Sequence, residues 1–405
     1  ILNFLRRIFV YLSLFFLISI FLIFKKFFLK KNYLIYFFFI GYLLAQIPGL
    51  IITDNSITNI SFMISALAIV LTMILVNHFF SDNEKKVFNY LSFFFLITVF
   101  SITFLPQFKN FFMGGDYFYG LYKPPSDIFL TKIQPRSSGL SRIALLVVLF
   151  IISFEVTFIK KKSLIIEFLK IFLLTAILLL QSRTIIFLTF ISFGLIFIFN
   201  FKILIKNILK YLFIYLLIPV ILALALSNIN QFNDFKKKSN KDISTLSDVK
   251  NFIEFSTDKE KSQRNLRTMS KDISSGRFSD WRLILKNINN NNIYFGFGSQ
   301  GDRFLINQSA SNGFIYAYSS SGIVGLTFFI FFSFFLLYKI FKSIVFSFRK
   351  DLVSYIYCVI LLVIFLRSFL ETSFAVFSID LIIFISLLNI INDNKTSIEV
   401  TKKGI

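Results

Sequence analysis

The chain has 405 residues, 56% of them hydrophobic, and a mean hydropathy of +0.76. A soluble domain of this length would sit below zero on that scale, so the composition places the chain among membrane proteins. A single cysteine (Cys358) and a single histidine (His78) exclude a disulfide framework and any Cys/His metal cluster, and the net charge of +22 comes without a nucleic-acid-binding motif.

A bilayer-crossing helix needs roughly 20 apolar residues. Eleven segments qualify: 8–24, 33–52, 57–80, 87–105, 141–159, 164–180, 183–199, 208–227, 312–338, 352–370 and 374–391. They are apolar all round and do not alternate, which excludes the strands of a membrane barrel. The expected fold is an all-α, polytopic membrane helix bundle of about 11 helices, or 12 in the full-length protein. The 60 phenylalanines accompany abundant Lys, Ile and Asn, all with A/T-rich codons. They are read as nucleotide bias before any aromatic site.

Basic short loops belong on the cytoplasmic side. They carry Lys25, Lys26, Lys30 and Lys31, then Lys85 and Lys86, Lys160 to Lys162, Lys202 and Lys206, and finally Lys339, Lys342, Arg349 and Lys350. The intervening loops 53–56 and 371–373 have neither Lys nor Arg. The tail, 392–405, with Lys395, Lys402 and Lys403, is then also inside. Two larger segments fall outside, 106–140 and 228–311. The expected organisation is an N-terminal bundle (1–227), a large periplasmic loop (228–311), a C-terminal group of spans (312–391) and a cytoplasmic tail. Eleven spans with an inside C-terminus put Ile1 outside, yet Arg6 and Arg7 precede the first span, so a further helix is expected upstream.

Residues 228–272 mix Lys, Asp, Ser and Asn and read as a solvated loop. Helical character returns at 276–292, with Trp281, Leu283, Ile284, Leu285 and Ile288 for one face. That face is suited either to the membrane surface or to packing over the bundle. The glycine-rich "FGFGSQG" (295–301) lacks the ending of a phosphate-binding Walker loop. It is read as a turn whose backbone amides approach a ligand. His78, beside "FFSDNEKK", is read as structural.

The outer side collects arginines: Arg136 and Arg142, Arg183, Arg277 and Arg282 on either side of Trp281, Arg303, and Arg367 four residues before Glu371. Any one of them is explained as a snorkelling anchor. Together they are notable because Lys outnumbers Arg along the chain. The planar guanidinium fork matches phosphate oxygens, so the set points to an anionic, phosphate-bearing ligand. Arg367 and Glu371 fit an i,i+4 ion pair or an Arg-held carboxylate that serves as a base. Asp380, within the last span, is either functional or paired inside the bundle.

Taken in order, "RSSGL" (136–140), "QSRT" (181–184), "SGRFSDW" (275–281), "YFGFGSQG" (294–301), "SNGFIYAYSSSGIVGL" (311–326) and "RSFLE" (367–371) resemble the O-antigen polymerase/ligase family of bacterial envelope enzymes. Where many relatives of that family have His before Asn, this chain has Ser311 before Asn312. That departure favours the polymerase branch over the ligase branch. The resemblance implies a multi-pass inner-membrane transferase, metal-independent and without a cofactor, acting on undecaprenyl-pyrophosphate-linked oligosaccharides as donor and acceptor. It implies catalytic roles for Arg183, Arg277 and Glu371, and substrate-binding roles for Arg136, Arg142, Trp281, Arg282, Arg303, Asn312 and Arg367. Membrane lipid and a chain-length regulator are the expected partners; nucleic acid is not. Ligase activity, or transport of a polysaccharide or lipid, are the alternatives.

Overall fold

The computed structural model describes residues 33–52, 57–80, 82–112, 137–158, 163–180, 182–199, 213–226, 277–306, 309–347 and 352–391. These are mostly helical, with no strand among them. Every expected span except 8–24, which lies outside the described residues, has a helix on it. The chain divides into two compact units, Ile1–Ser92 with Arg277–Ile405, and Phe93–Gly276.

In the first unit the helices are α1 (Tyr33–Leu44), α2 (Ile47–Ile52), α3 (Ile57–Phe79) and the start of α4 (Asp82–Phe112). The others are α9 (Arg277–Asn291), α10 (Gly301–Ile306), α11 (Gly313–Ser347), α12 (Leu352–Arg367) and α13 (Ile379–Ile391). The axis of the unit is α11, and α1 packs along it. Phenylalanines make the contact. Phe38 stacks on Phe331 and Phe335 with centroids 5.3 and 5.4 Å apart, and Phe39 meets Phe332 at 4.7 Å. Phe374 continues the cluster onto Phe384 at 5.0 Å. Lipid tails are as apolar as a side chain, so burying these rings gains little by itself; close ring packing and polar bonds hold the helices together. One such bond runs from the buried Tyr42 hydroxyl to the Ala375 carbonyl, 2.8 Å.

The expected span 312–338 is not a single rod. Gly322 has φ 61° and ψ −159°, which breaks α11, and the helix beyond continues to Ser347. The turn 293–298 fills the break. Ile323 and Val324 donate to the carbonyls of Ile293 and Tyr294, while Phe297 and Gly298 donate to those of Ser319 and Ser320, at 2.8–3.3 Å. Freed backbone groups near a membrane need such internal partners. A side chain at Gly322 would collide with the Tyr294 carbonyl. These bonds also correct the reading of "FGFGSQG" as a ligand cradle: the amides of Phe297 and Gly298 are already spent on α11. The last expected span, 374–391, likewise begins as a 3-10 turn (Ser373–Ala375) and becomes α-helical only at Ile379.

The second unit holds the rest of α4 with α5 (Ser137–Phe158), α6 (Leu164–Leu179), α7 (Arg183–Phe199) and α8 (Phe213–Leu226), whose first turn is π-helical. α5 packs against both α6 and α7. Lys170 of α6, 5% exposed, reaches Glu155 of α5 at 2.8 Å, Glu167 at 3.0 Å and the Tyr215 hydroxyl of α8 at 3.1 Å. A buried ammonium is tolerated only when paired and hydrogen-bonded, and here each of its three protons has an acceptor.

Candidate functional site

Two carboxylates and two guanidiniums meet in the first unit where α9 begins and α12 ends. Arg367 is the last residue of α12, and the chain turns there through Glu371, whose N–H bonds the Arg367 carbonyl at 2.9 Å. Arg277 opens α9, and its Nη2 lies 3.5 Å from Glu371 Oε1. Arg367 Nη2 stands 4.0 Å from Glu371 Oε2, at the limit of an ion pair. The closer partner of Arg367 is Asp380, whose Oδ2 takes its Nη1 and lies 2.9 Å from the Ser373 hydroxyl. Exposure rises steadily outward: Asp380 0%, Arg367 6%, Glu371 18%, Arg277 28%. The inner pair is therefore structural in its surroundings. Arg277 and Glu371 are the members that a ligand from outside can meet.

Trp281, one turn along α9 from Arg277, fixes the helix in place. Its indole N–H donates to the Ala310 carbonyl at 2.6 Å, and Phe278 packs edge-on against its ring at 5.1 Å. The Ala310 N–H in turn donates to Asp302 Oδ2 at 2.7 Å, while Oδ1 takes the Arg303 N–H at 2.9 Å. Burial pushes the Asp302 carboxyl above its ordinary range, although these two N–H groups and the Arg303 guanidinium pull the other way. Ile284 and Ile288 of α9 are fully buried, and Leu283 and Leu285 are exposed. The helix thus packs over the bundle through only part of the apolar set read from the sequence.

The remaining expected site residues are dispersed. Asn312 caps α11: its Oδ1 accepts from the amides of Phe314 and Ile315 at 2.8 and 3.0 Å, and its Nδ2 donates to the Phe369 carbonyl at 2.8 Å. Arg282 is exposed, about 140° around α9 from Arg277. Arg303 is exposed and donates to Gln300 at 3.2 Å. In the second unit Arg142 is half-buried on α5, and Arg183 is exposed at the start of α7. Arg136 lies outside the described residues. Two participants are not legible from spacing, Asp380 as the partner of Arg367 and Ser373 beside it. The available signal was a carboxylate within an apolar span. Among the described residues no group of three or more His, Cys, Asp or Glu could hold a metal ion.

These features define a class: an all-helical protein with several helices long and apolar enough to cross a membrane and an Arg–carboxylate cluster at the helix ends. Residues 168–330, less than half of the chain, match the family model described as O-antigen ligase. The match spans Arg183, Arg277, Trp281 and the broken start of α11. Neither a curated protein nor a solved structure matches the chain.

Proposed function

We propose that this protein is a membrane glycan transferase that polymerises undecaprenyl-pyrophosphate-linked repeat units into O-antigen or a related surface polysaccharide, at the outer face of the inner membrane. What carries the proposal is the Arg277–Glu371 pair, the accessible end of a charged cluster, within a chain matched to the O-antigen ligase family. In the reaction a hydroxyl of the acceptor glycan attacks the donor's anomeric carbon. The bond from that carbon to the pyrophosphate oxygen breaks, and the hydroxyl proton leaves to a base. Arg277 neutralises the charge that grows on the departing pyrophosphate. Arg277 is able to exchange its half-buried carboxylate partner for the phosphate because neither group is deeply buried. Glu371 takes the proton. Arg367 is committed to Asp380 and positions Glu371 more than it binds substrate. No metal or cofactor enters this scheme.

The second reading is ligation of finished glycan to lipid A core or another acceptor, favoured by the description of the matching family. Ser311, at the position where the ligase branch has His, argues against it.

The test is complementation. The full-length gene is returned to its own strain lacking it, and the surface polysaccharide is resolved on a gel. Polymerase activity gives a repeat ladder with wild type that collapses to one repeat unit with Arg277→Ala or Arg183→Ala. A ladder that persists without the gene while attachment fails supports ligase instead. Lipid-linked units accumulating on the cytoplasmic side would show a transporter and overturn both.

A further inference from the structure

The side of α9 turned away from the bundle exposes both apolar and basic side chains. Phe278 is 59% exposed, Leu285 is exposed, and Arg282 and Lys286 stand beside them. At 100° per residue these four occupy a sector of about 100°, away from the buried Ile284 and Ile288. The following turn adds two more exposed rings, Tyr294 (64%) and Phe295 (41%).

The height of that turn is fixed by backbone bonds. Ile293 and Tyr294 accept from the amides of Ile323 and Val324, just beyond the break in α11. Those two residues begin a run of exposed large apolar side chains that continues through Ile330, Phe331, Phe334 and Tyr338. On a helix long enough to cross a membrane, such a run faces lipid. Lys339 and Lys342 mark its other end. Counting about 20 residues back from Lys339, the length that crosses the hydrocarbon, ends beside Gly322. The turn 293–298 and α9 therefore stand at one membrane–water boundary, where amphipathic rings and basic side chains are both at home.

We propose that the outer side of α9, with the turn Tyr294–Phe295, is a docking surface for the phospholipid headgroup layer. Phe278, Leu285, Tyr294 and Phe295 enter the boundary between headgroups and acyl chains. Arg282 and Lys286 contact lipid phosphates. The occupant is the membrane surface, not a protein, because apolar side chains and cations share one sector of α9 and the turn that follows is bonded to the start of the lipid-facing run of α11. One consequence concerns height. Arg277, on the same helix and turned toward Glu371, is held level with the headgroups of a lipid-anchored molecule.

Trp281 is the only tryptophan in the chain, so its fluorescence reports on α9 alone. The full chain is reconstituted into phosphatidylcholine vesicles, with and without phosphatidylglycerol. The acyl chains are brominated either near the headgroup or near the tail end. Shallow bromines are expected to quench Trp281 more than deep ones. The quenching should fall at least about twofold in Phe278→Ser and in the double variant Arg282→Glu/Lys286→Glu, the latter most in the anionic vesicles. These positions are exposed, and a thermal melt confirms that the variants fold. Absence of quenching by either lipid overturns the proposal, as does quenching indifferent to both variants. Emission that instead changes with the protein-to-lipid ratio would assign this face to a second copy of the chain, and also overturn it.

Discussion

Each unit of this protein gathers basic and acidic side chains from different helices, and the two clusters differ in how they are closed. Around Lys170, one ammonium is enclosed by two carboxylates and a hydroxyl contributed by α5, α6 and α8. Around Glu371 the arrangement is graded, with an inner Arg367–Asp380 pair sealed in the bundle and an outer Arg277–Glu371 pair reaching the surface. A closed cluster ties helices together and gains nothing from a ligand. A graded one keeps part of its charge available. Lys suits the first because it offers a compact point charge with three donors; Arg suits the second because its fork can serve two acceptors at once.

The comparison is broken most severely by removing the closed cluster's cation. Lys170→Met leaves Glu155 and Glu167 without their ammonium, and the expected loss is about 3–5 kcal/mol of stability. A thermal melt in detergent checks it. Loss of the proposed transferase activity should follow only from loss of folded protein. Asp380→Asn, which strips the charge from the inner Arg367 pair, is expected to destabilise the first unit by a comparable or smaller amount, on the order of 3 kcal/mol. The same melt, followed through Trp281, measures it.

The outer pair should behave in the opposite way. Glu371→Gln is expected to cost at most about 1 kcal/mol of stability, because the group is partly solvated. Its effect on turnover is expected to be on the order of 100-fold, with binding of inorganic pyrophosphate to the reconstituted protein kept or tightened. Turnover and pyrophosphate titration together separate a base from a structural tether. A large stability loss with unchanged turnover per folded molecule would place Glu371 with the closed cluster instead.

The smallest effect concerns Asp302, which anchors Trp281 through Ala310. Its carboxyl is raised by burial, so the folded state holds the proton more tightly than the unfolded chain does. Its contribution to stability is therefore fullest below the ordinary carboxylate range, and it declines as pH rises through the raised value. Melts of Trp281 fluorescence across that window should show the decline in wild type and a flatter profile in Asp302→Asn.

Much of the helical layout was legible because 18–20 apolar residues in a row have few alternatives in a bilayer. Arg277, Arg367 and Glu371 were also legible as candidates, since Arg stands out in a chain that otherwise uses Lys. Their grouping was less so. The i,i+4 spacing of Arg367 and Glu371 suggested a simple pair, yet Asp380, thirteen residues on, takes the closer contact. Asn312, which the resemblance marks for substrate binding, also caps a helix, because an amide at a helix start finds the free N–H groups nearest. The glycine-rich turn was recognisable as a turn. What it approaches, the break at Gly322, was not, because both partners are backbone and leave no side-chain pattern.

The sequence by itself determined the class and most of the described helices, since hydropathy acts residue by residue and is written in the order of the chain. Only the tertiary structure decided which charges pair, which helix is broken, and which side of α9 is left open. Those outcomes depend on packing between segments far apart in the chain, where small differences in helix end and rotation choose one partner over another.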